Sequence, residues 1–413
     1  MSTLHDFGSG PVLADLADYD GQPLSSERMN AVRGASVVHF SYDLLRHDFP
    51  SHIAALTGGV DLSTHPEARA RVESWLVSSV ALVSRTQSVQ VVANTPIPIT
   101  AAEREVHRPP RYGRAAVMRG VALRGVQTEA IFDVKGCGVP PDEEPVLPNS
   151  NGLMTLEEAL FELTMERLVH AALRHAGTGV LPVPAYAIID LGFDVVWRDG
   201  RPDQRAALLV RRAQTRPEFQ WGPVAPGPEA AARLLDIELS LRPYGLSGSS
   251  CGAVRFHLRE ASGTLLVSRD DRLFGFGTDD LERIRRDTGF AGEELTVDGV
   301  NIQVATVPAA RSAIDRVMDF GRYRLCERFD SVLYSWQDNN YQNLRGVFLR
   351  PGEPRYVQPD PRVSMARCGV YEREAALCRA RLAYERGEIG REALATALDS
   401  LLFEATYPLR EPG

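Results

Sequence analysis

Lysine is almost missing from this chain. Of the 46 basic side chains in 413 residues, only Lys135 is lysine, and the other 45 (46 minus 1) are arginine. Cysteine is also sparse. Cys137, Cys251, Cys326, Cys368 and Cys378 are odd in number, widely spaced and form no Cys-x-x-Cys pair, so neither a zinc site nor a disulfide framework is expected. Reduced thiols in a cytoplasmic setting are the default. No run approaches the roughly 18 consecutive apolar residues that a membrane span needs. The opening Met1-Ser2-Thr3-Leu4-His5-Asp6 lacks the basic-then-apolar pattern of a secretory signal. Net positive charge is lacking too: a balance of −8 argues against a general nucleic-acid binder. The nine histidines show no metal-ligand spacing, and no repeat of 20–50 residues is visible. What remains is an ordinary globular composition, 44% hydrophobic and 24% charged, long enough for two lobes.

The surviving lysine then carries weight. Arginine serves wherever a solvated positive charge suffices. It fails where a compact ammonium must reach confined phosphate oxygens or lose its proton. Chance survival of a single lysine is the competing explanation. Around it, Ile131-Phe132-Asp133-Val134-Lys135-Gly136-Cys137-Gly138 reads as a strand broken by a glycine turn. A lysine on a strand, followed by a helix bearing a glutamate, is how protein kinases hold ATP phosphates. Upstream, the basic loop His107 to Arg114 leads into a strand over 115–123, a turn at Gly125 and a return from Thr128 to Lys135. Gly113 and Arg114 are candidate phosphate-loop residues. The loop is not Gly-x-Gly-x-x-Gly, and a plain hairpin explains it equally well. Downstream, an acidic proline-rich loop ends at Thr155-Leu156-Glu157-Glu158, a capping box with Thr155 as N-cap and Glu158 reaching back. The helix it opens runs to about His175 and stops at Gly177, with Leu156, Ala159, Leu160, Leu163, Leu168 and Ala172 on its apolar face. Glu162 and Glu166 lie one turn apart on it. Either reaches Lys135, or both are solvated.

Elsewhere, Leu24 to Met29 looks like a helix start, residues 66–86 an amphipathic helix, and 88–93 a strand. Residues 183–189, 193–197 and 206–210 read as strands with turns at Leu191-Gly192 and Asp199-Gly200. The third ends in Arg211 and Arg212. Residues 228–241 are helical by pattern, 244–252 a glycine-serine loop, 253–306 inserted strands with one short helix, 308–330 a long helix, and 371–404 a helical hairpin. Gly248-Ser249-Ser250-Cys251-Gly252 matches Gly-x-Ser-x-Gly. It lacks the strand before and the helix after that a hydrolase elbow needs, and reads as a coincidence.

A second constellation is Trp336-Gln337-Asp338-Asn339-Asn340-Tyr341-Gln342-Asn343-Leu344. An aspartate followed five residues later by asparagine is the kinase catalytic-loop spacing, in which the aspartate orients the nucleophile and the asparagine binds magnesium. Here it opens with Trp-Gln in place of His-Arg. A strand–turn–strand then leads to Asp360 as a metal ligand, followed by proline and not by Phe-Gly. A polar loop is the plain alternative. Asp319-Phe320-Gly321 spells the kinase metal-binding tripeptide. It precedes Asp338, against the kinase order, and falls in a helical pattern, so it reads as a decoy.

Taken in order, Lys135-Gly136-Cys137-Gly138, Asn151-Gly152, Leu160-Phe161-Glu162, Gly179 to Pro184, Arg211 to Thr215 and Gln337-Asp338-Asn339 resemble the selenoprotein O family of kinase-like proteins. The resemblance covers residues 107–216 and 330–361. It implies a Lys135–Glu162 ion pair that positions phosphates, a phosphate contact from Arg211, Asp338 as base, Asp360 as metal ligand, and transfer of AMP from ATP to protein hydroxyls. The family pairs Asp directly with Asn, which makes Asn339 the metal ligand. Ordinary kinase spacing makes it Asn343. The family's Asp-Tyr-Gly after the catalytic loop is absent.

The expected fold is therefore α+β, a bilobal kinase-like fold. Residues 1–100 form an extension, 101–216 an N-lobe of antiparallel sheet and one key helix, and 217–413 a mainly helical C-lobe with inserted strands. The expected function is ATP- and Mg²⁺-dependent transfer of AMP to a hydroxyl of a protein or small molecule, in the cytoplasm, without nucleic acid or membrane. Arg212, Gly113 and Arg114 join Lys135, Glu162 and Arg211 as expected nucleotide contacts. The alternatives are a kinase or ATP-dependent ligase on the same fold, and a nucleotide-binding pseudokinase acting through a partner.

Overall fold

Strand residues that alternate in character on both sides of Lys135 build the centre of one large antiparallel sheet. Ile131, Asp133 and Lys135 project to one face and Phe132 and Val134 to the other, the period-2 rule of a strand. All five are buried.

The structure is a computed structural model. It describes residues 16–19, 23–84, 97–142 except 111, 152–195, 203–218, scattered positions from 230 to 248, the strands within 255–305, and residues 314–328, 331–334 and 370–405. The fold is mixed α+β. The main sheet contains β1 (Ser25–Val32), β2 (Ser36–Phe40), β3 (Leu82–Ser84), β4 (Ile99–Arg108), β5 (Ala115–Arg119), β6 (Ile131–Lys135), β7 (Met154–Thr155), β9 (Ala185–Val195) and β10 (Gln204–Arg212). Its order is β2-β9-β10-β6-β5-β4-β1-β3, with β7 paired to β10. In register, Lys135 faces Ala115 on one neighbour and Leu209 on the other. The short β8 (Leu181–Pro182) belongs to a separate three-stranded sheet. Among the described residues no helix is long and apolar enough to cross a membrane.

Three helices cover one face: α1 (Tyr42–Asp48), α2 (Pro50–Thr57) and α3 (Pro66–Val80). Their Leu44, Leu45, Ile53, Val72, Trp75 and Leu76 pack on Met118, Phe132, Val134, Leu208 and Val210 of the sheet. The other face receives α4 (Leu156–Ala176) and the helical hairpin of α5 (Val370–Glu385) and α6 (Arg391–Ala405). Leu160, Leu163 and Leu168 of α4 bury fully there, each contributing about 1.5–3 kcal/mol relative to an exposed side chain. Thr155 caps α4, its hydroxyl accepting the Glu158 backbone N–H at 3.1 Å. Gly177 ends the helix in the left-handed conformation at φ 68°.

The remaining strands form small separate sheets. β11 (Leu246–Gly248), β18 (Tyr323–Arg328) and β19 (Ser331–Tyr334) make one. β12 (Arg255–Arg259), β13 (Thr264–Arg269), β14 (Arg272–Gly275) and β15 (Glu294–Asp298) make another. β16 (Gln303–Ala305), β17 (Arg316–Met318) and β8 make the third, with β17 parallel to β8.

Several local expectations are corrected. Leu24 to Met29 is not a helix start but leads into β1, where pairing to β3 and β4 decides the conformation. The helix expected over 66–86 ends at Val80, and Leu82 to Ser84 pair with β1. The two strands expected over 183–197 are one strand. Gly192, at φ 76°, sits in an irregular stretch, not a turn. The loop expected over 244–252 includes β11. The long helix expected over 308–330 is absent: β17, a 3-10 turn at Phe320–Arg322 and β18 stand there. Ile314, Val317 and Met318 suit either period over so short a run, and a waiting edge at β8 selects the strand. The segment set apart as an extension supplies β1, β2 and β3 and the start of β4.

Candidate functional site

Three elements converge on Lys135. It ends β6, and Gly136 and Gly138 after it, at φ 98° and 105°, turn the chain away. From α4, Glu162 accepts a hydrogen bond from Lys135 Nζ at 2.5 Å. From the turn after β17, the Asp319 carboxylate forms a second ion pair with the same ammonium. The alternative left open between Glu162 and Glu166 is thereby decided geometrically. Glu166 instead accepts the backbone N–H of Ala185 at 3.1 Å.

Asp319-Phe320-Gly321, read as a decoy inside a helix, thus lies at the lysine. Leu181 N donates to Asp315 O and Val183 N to Val317 O, which ties β17 to the segment just after α4. Among the described residues Asp319 is the only non-glycine at positive φ, 63°, a conformation that aspartate tolerates better than most residues. Phe320 is buried in the core beside α4. Gly321 stands so close to α4 that a Cβ there would meet Glu162 Oε1 at 2.6 Å. That is the oxygen that takes Lys135. Gly321→Ala should therefore displace Glu162 and cost about 1–3 kcal/mol by overpacking, measured as a lower urea midpoint. An unchanged midpoint would show that the glutamate is not held there.

A buried polar network lies beside the lysine on the same face of the sheet. Asp133, two residues before Lys135, accepts from Arg211 Nη2 at 2.7 Å and Nε at 3.2 Å, and from Gln214 Nε2 at 2.6 Å. Tyr112 donates its hydroxyl to Gln214 O at 3.2 Å, and Arg216 stacks over the Tyr112 ring at 4.2 Å. Arg114 pairs with Glu158 and donates to Leu153 O at 2.8 Å. The Glu158 carboxylate, expected to cap the helix, therefore serves this loop. Gly113, at φ 55°, gives its carbonyl to Arg108 at 2.7 Å.

Arg212 is corrected. It alternates to the opposite face, where Asp48 of α1 accepts from its Nε at 2.8 Å and Nη2 at 2.7 Å, and Tyr186 donates to the same carboxylate at 2.6 Å. It is a buried structural cation there, away from Lys135. Asp338, Asn339, Asn343 and Asp360 lie outside the described residues, as do Ser250 and residues 88–93. Sequence reasoning missed Asp133, Gln214 and the role of Asp319. Asp133 had a readable signal, since i and i+2 on a strand share a face.

Electrostatics separate the two acids on Lys135. Burial raises the Glu162 carboxyl, with Lys135 opposing. Burial also pushes Asp319 up, but Lys135, Arg211 and Arg216 outweigh it and hold that carboxyl well below the usual range. The Asp319 side chain is also the more exposed, 23% against none for Glu162. Arg211 Nη1, Glu162 Oε2 and Gln214 Oε1 are buried without a hydrogen-bond partner. Four cations (Lys135, Arg114, Arg211, Arg216) here interact with four carboxylates (Asp133, Glu158, Glu162, Asp319). The set is close to neutral, so a polyphosphate fits it only with a divalent cation of its own. A partly exposed carboxylate such as Asp319 suits magnesium, which commonly takes one or two protein carboxylates and completes its shell with phosphate and water. Among the described residues no group of three His, Cys, Asp or Glu side chains is arranged to hold a metal ion by itself.

No protein-family model matches the chain, and no curated protein matches it.

Proposed function

We propose that the chain is an ATP- and Mg²⁺-dependent transferase, in which the sheet and α4 form the N-terminal lobe of a kinase-like fold. The observation that carries this reading is the only lysine, held on a strand between a helix glutamate and the aspartate of an Asp-Phe-Gly turn. In kinases these three parts position the nucleotide phosphates and the metal. Lys135 binds phosphate oxygens as a compact ammonium. Glu162 fixes where that ammonium stands. Arg211, aligned by Asp133, offers its remaining N–H to the same charge. Asp319 would take the metal-binding role that spacing had assigned to Asp360, with Asn339 and Asn343, outside the described residues, the sequence's candidates for a second ligand. Magnesium, when bound, neutralises phosphate charge as a Lewis acid. Asp338 orients the acceptor hydroxyl, on a protein or a small molecule. AMP is the transferred group that the resemblance favours.

The test is calorimetric titration of ATP with magnesium, followed by intact mass of the protein and of candidate acceptors. Asp319→Asn should bind ATP without magnesium about as well as wild type and lose the tightening that magnesium confers. A mass gain of one AMP marks adenylyl transfer, and a gain of one phosphoryl group marks a kinase. ATP binding without any covalent change supports the pseudokinase. Absence of ATP binding in the wild type ends the reading.

A further inference from the structure

Glu162 meets Lys135 only because α4 stands at one height along the sheet. A slide of one turn, about 5.4 Å, would present Glu158 or Glu166 instead. Much less would break a hydrogen bond that now spans 2.5 Å. The first turn of α4 is held from two sides. Glu158 pairs with Arg114, just before β5. Glu157 accepts from Gln204 Nε2 of β10 at 2.9 Å and stands 3.3 Å from Arg381 Nη2 of α5.

Arg381 brings a distant part of the chain to this helix. It is buried, and its Nη1 donates to both Glu385 carboxylate oxygens, at 3.0 and 2.9 Å, one turn further along α5. The guanidinium is thereby fixed facing Glu157. The hairpin docks by an apolar stripe. Leu394, Leu398 and Leu401 recur at helical spacing on α6. With Leu377 of α5 they are fully buried in the core that holds Leu160 and Leu163 of α4. α6 packs directly on α4 and on β2. Polar ties run to other elements: Tyr384 donates its hydroxyl to the Asp190 carboxylate of β9, and Arg391 Nη1 pairs with Glu73 of α3 at 2.9 Å. The hairpin is thus anchored on β9 and α3, and grips α4 from there.

We propose that the α5–α6 hairpin is a clamp on α4, with Arg381 a positioning residue, and that it sets the height of the helix and so keeps Glu162 on Lys135. Its consequence for nucleotide rests on the reading of Lys135 as an ATP site. The Lys135 ammonium is held by Glu162 and Asp319, so the hairpin reaches it through α4.

The single lysine supplies the test. An N-hydroxysuccinimide ester of acetate finds one lysine amine in the full chain, and peptide mass spectrometry reads Lys135 apart from the terminal amine. Buried and paired, Lys135 should acylate slowly in the wild type. In Arg381→Gln and Leu398→Ala it should acylate several-fold faster under native conditions, and ATP with magnesium should bind about fivefold more weakly or worse. Ile53→Ala, on α2 across the sheet, is the control for lost stability. It should lower Tm and leave Lys135 acylation and ATP affinity at the wild-type level. Should Leu398→Ala not fold, Arg381→Gln carries the test with less loss of packing. Hairpin variants that lower Tm yet acylate Lys135 no faster than Ile53→Ala overturn the clamp, because a hairpin that only adds stability behaves that way. Acylation needs no nucleotide, so the two readings fail separately. Faster acylation in the hairpin variants, with no ATP binding in any form, keeps the clamp and ends the nucleotide reading. ATP binding in the wild type, with unchanged acylation in the hairpin variants, removes the clamp alone.

Discussion

Lys135→Met should abolish the ATP binding proposed for this site and destabilise the protein by about 3–5 kcal/mol, the cost of removing one partner from a buried ion pair. Glu162 is fully buried, and Lys135 Nζ is its hydrogen-bond donor at 2.5 Å. Without it the carboxylate either stays charged in a dry site or takes up a proton, which burial already favours. Lys135→Arg separates the structural role from the binding role. The guanidinium keeps the positive charge for Glu162 and Asp319, so stability should fall by about half as much or less. Its planar fork replaces the compact ammonium, and ATP affinity should still fall about tenfold or more. Denaturant melts and calorimetric titration of the two variants read these effects independently. An arginine variant that binds ATP like the wild type would remove the reason why lysine persists at this one position.

Gly136→Ala should be the most damaging of the small substitutions around the site. Its φ is 98°, and an added Cβ would lie 2.5 Å from Met154 Cβ and 2.8 Å from the Ala207 carbonyl oxygen. Those atoms belong to β7 and β10, which are paired in the sheet, so neither yields cheaply. Backbone strain of about 1–3 kcal/mol adds to overpacking of about 1–3 kcal/mol. The expected loss is therefore roughly 2–6 kcal/mol, read as a shifted urea midpoint. Gly113→Ala is the control. That glycine is also left-handed, φ 55°, but a Cβ there meets nothing within 4 Å. Its loss should be only about 1 kcal/mol. Equal effects at the two positions would mean that the close approach at Gly136 does not constrain the fold.

The local pattern around Lys135 was legible for physical reasons specific to it. A strand ending in glycines, a threonine cap and a glycine stop are short-range signals, and β6 and α4 follow them closely. Glu162 was legible only as one of two candidates. Glu158, Glu162 and Glu166 repeat every four residues and lie along one side of the helix. Which of them meets the lysine depends on how far along the sheet the helix is docked. The N-terminal strands were less legible. Ser25 to Val32 has no clean alternation, and its conformation comes from pairing with β3 and β4, which are distant in sequence.

The misplacement of Asp319 follows from the same cause. Its neighbours carry an apolar spacing that serves a helix or a strand, and chain order argued against a role for the tripeptide. Only the parallel pairing of β17 with β8 brings it to Lys135, 184 residues away in sequence. Arg211 and Arg212 make the complementary point. Adjacent arginines look equivalent in sequence, yet the pleat sends one to Asp133 beside the lysine and the other to Asp48 on the far face.

The sequence by itself determined the elements and the chemistry of their ends: where β6 stops, where α4 starts and stops, and which position keeps an ammonium. Those depend on backbone preferences and on groups a few residues apart. The tertiary structure alone decided the partnerships, Glu162 and Asp319 on Lys135, Asp133 on Arg211 and Arg381 on Glu157. These depend on docking and strand register between distant segments. A shift of one residue in a strand, or one turn of a helix, exchanges one partner for another without altering any local signal.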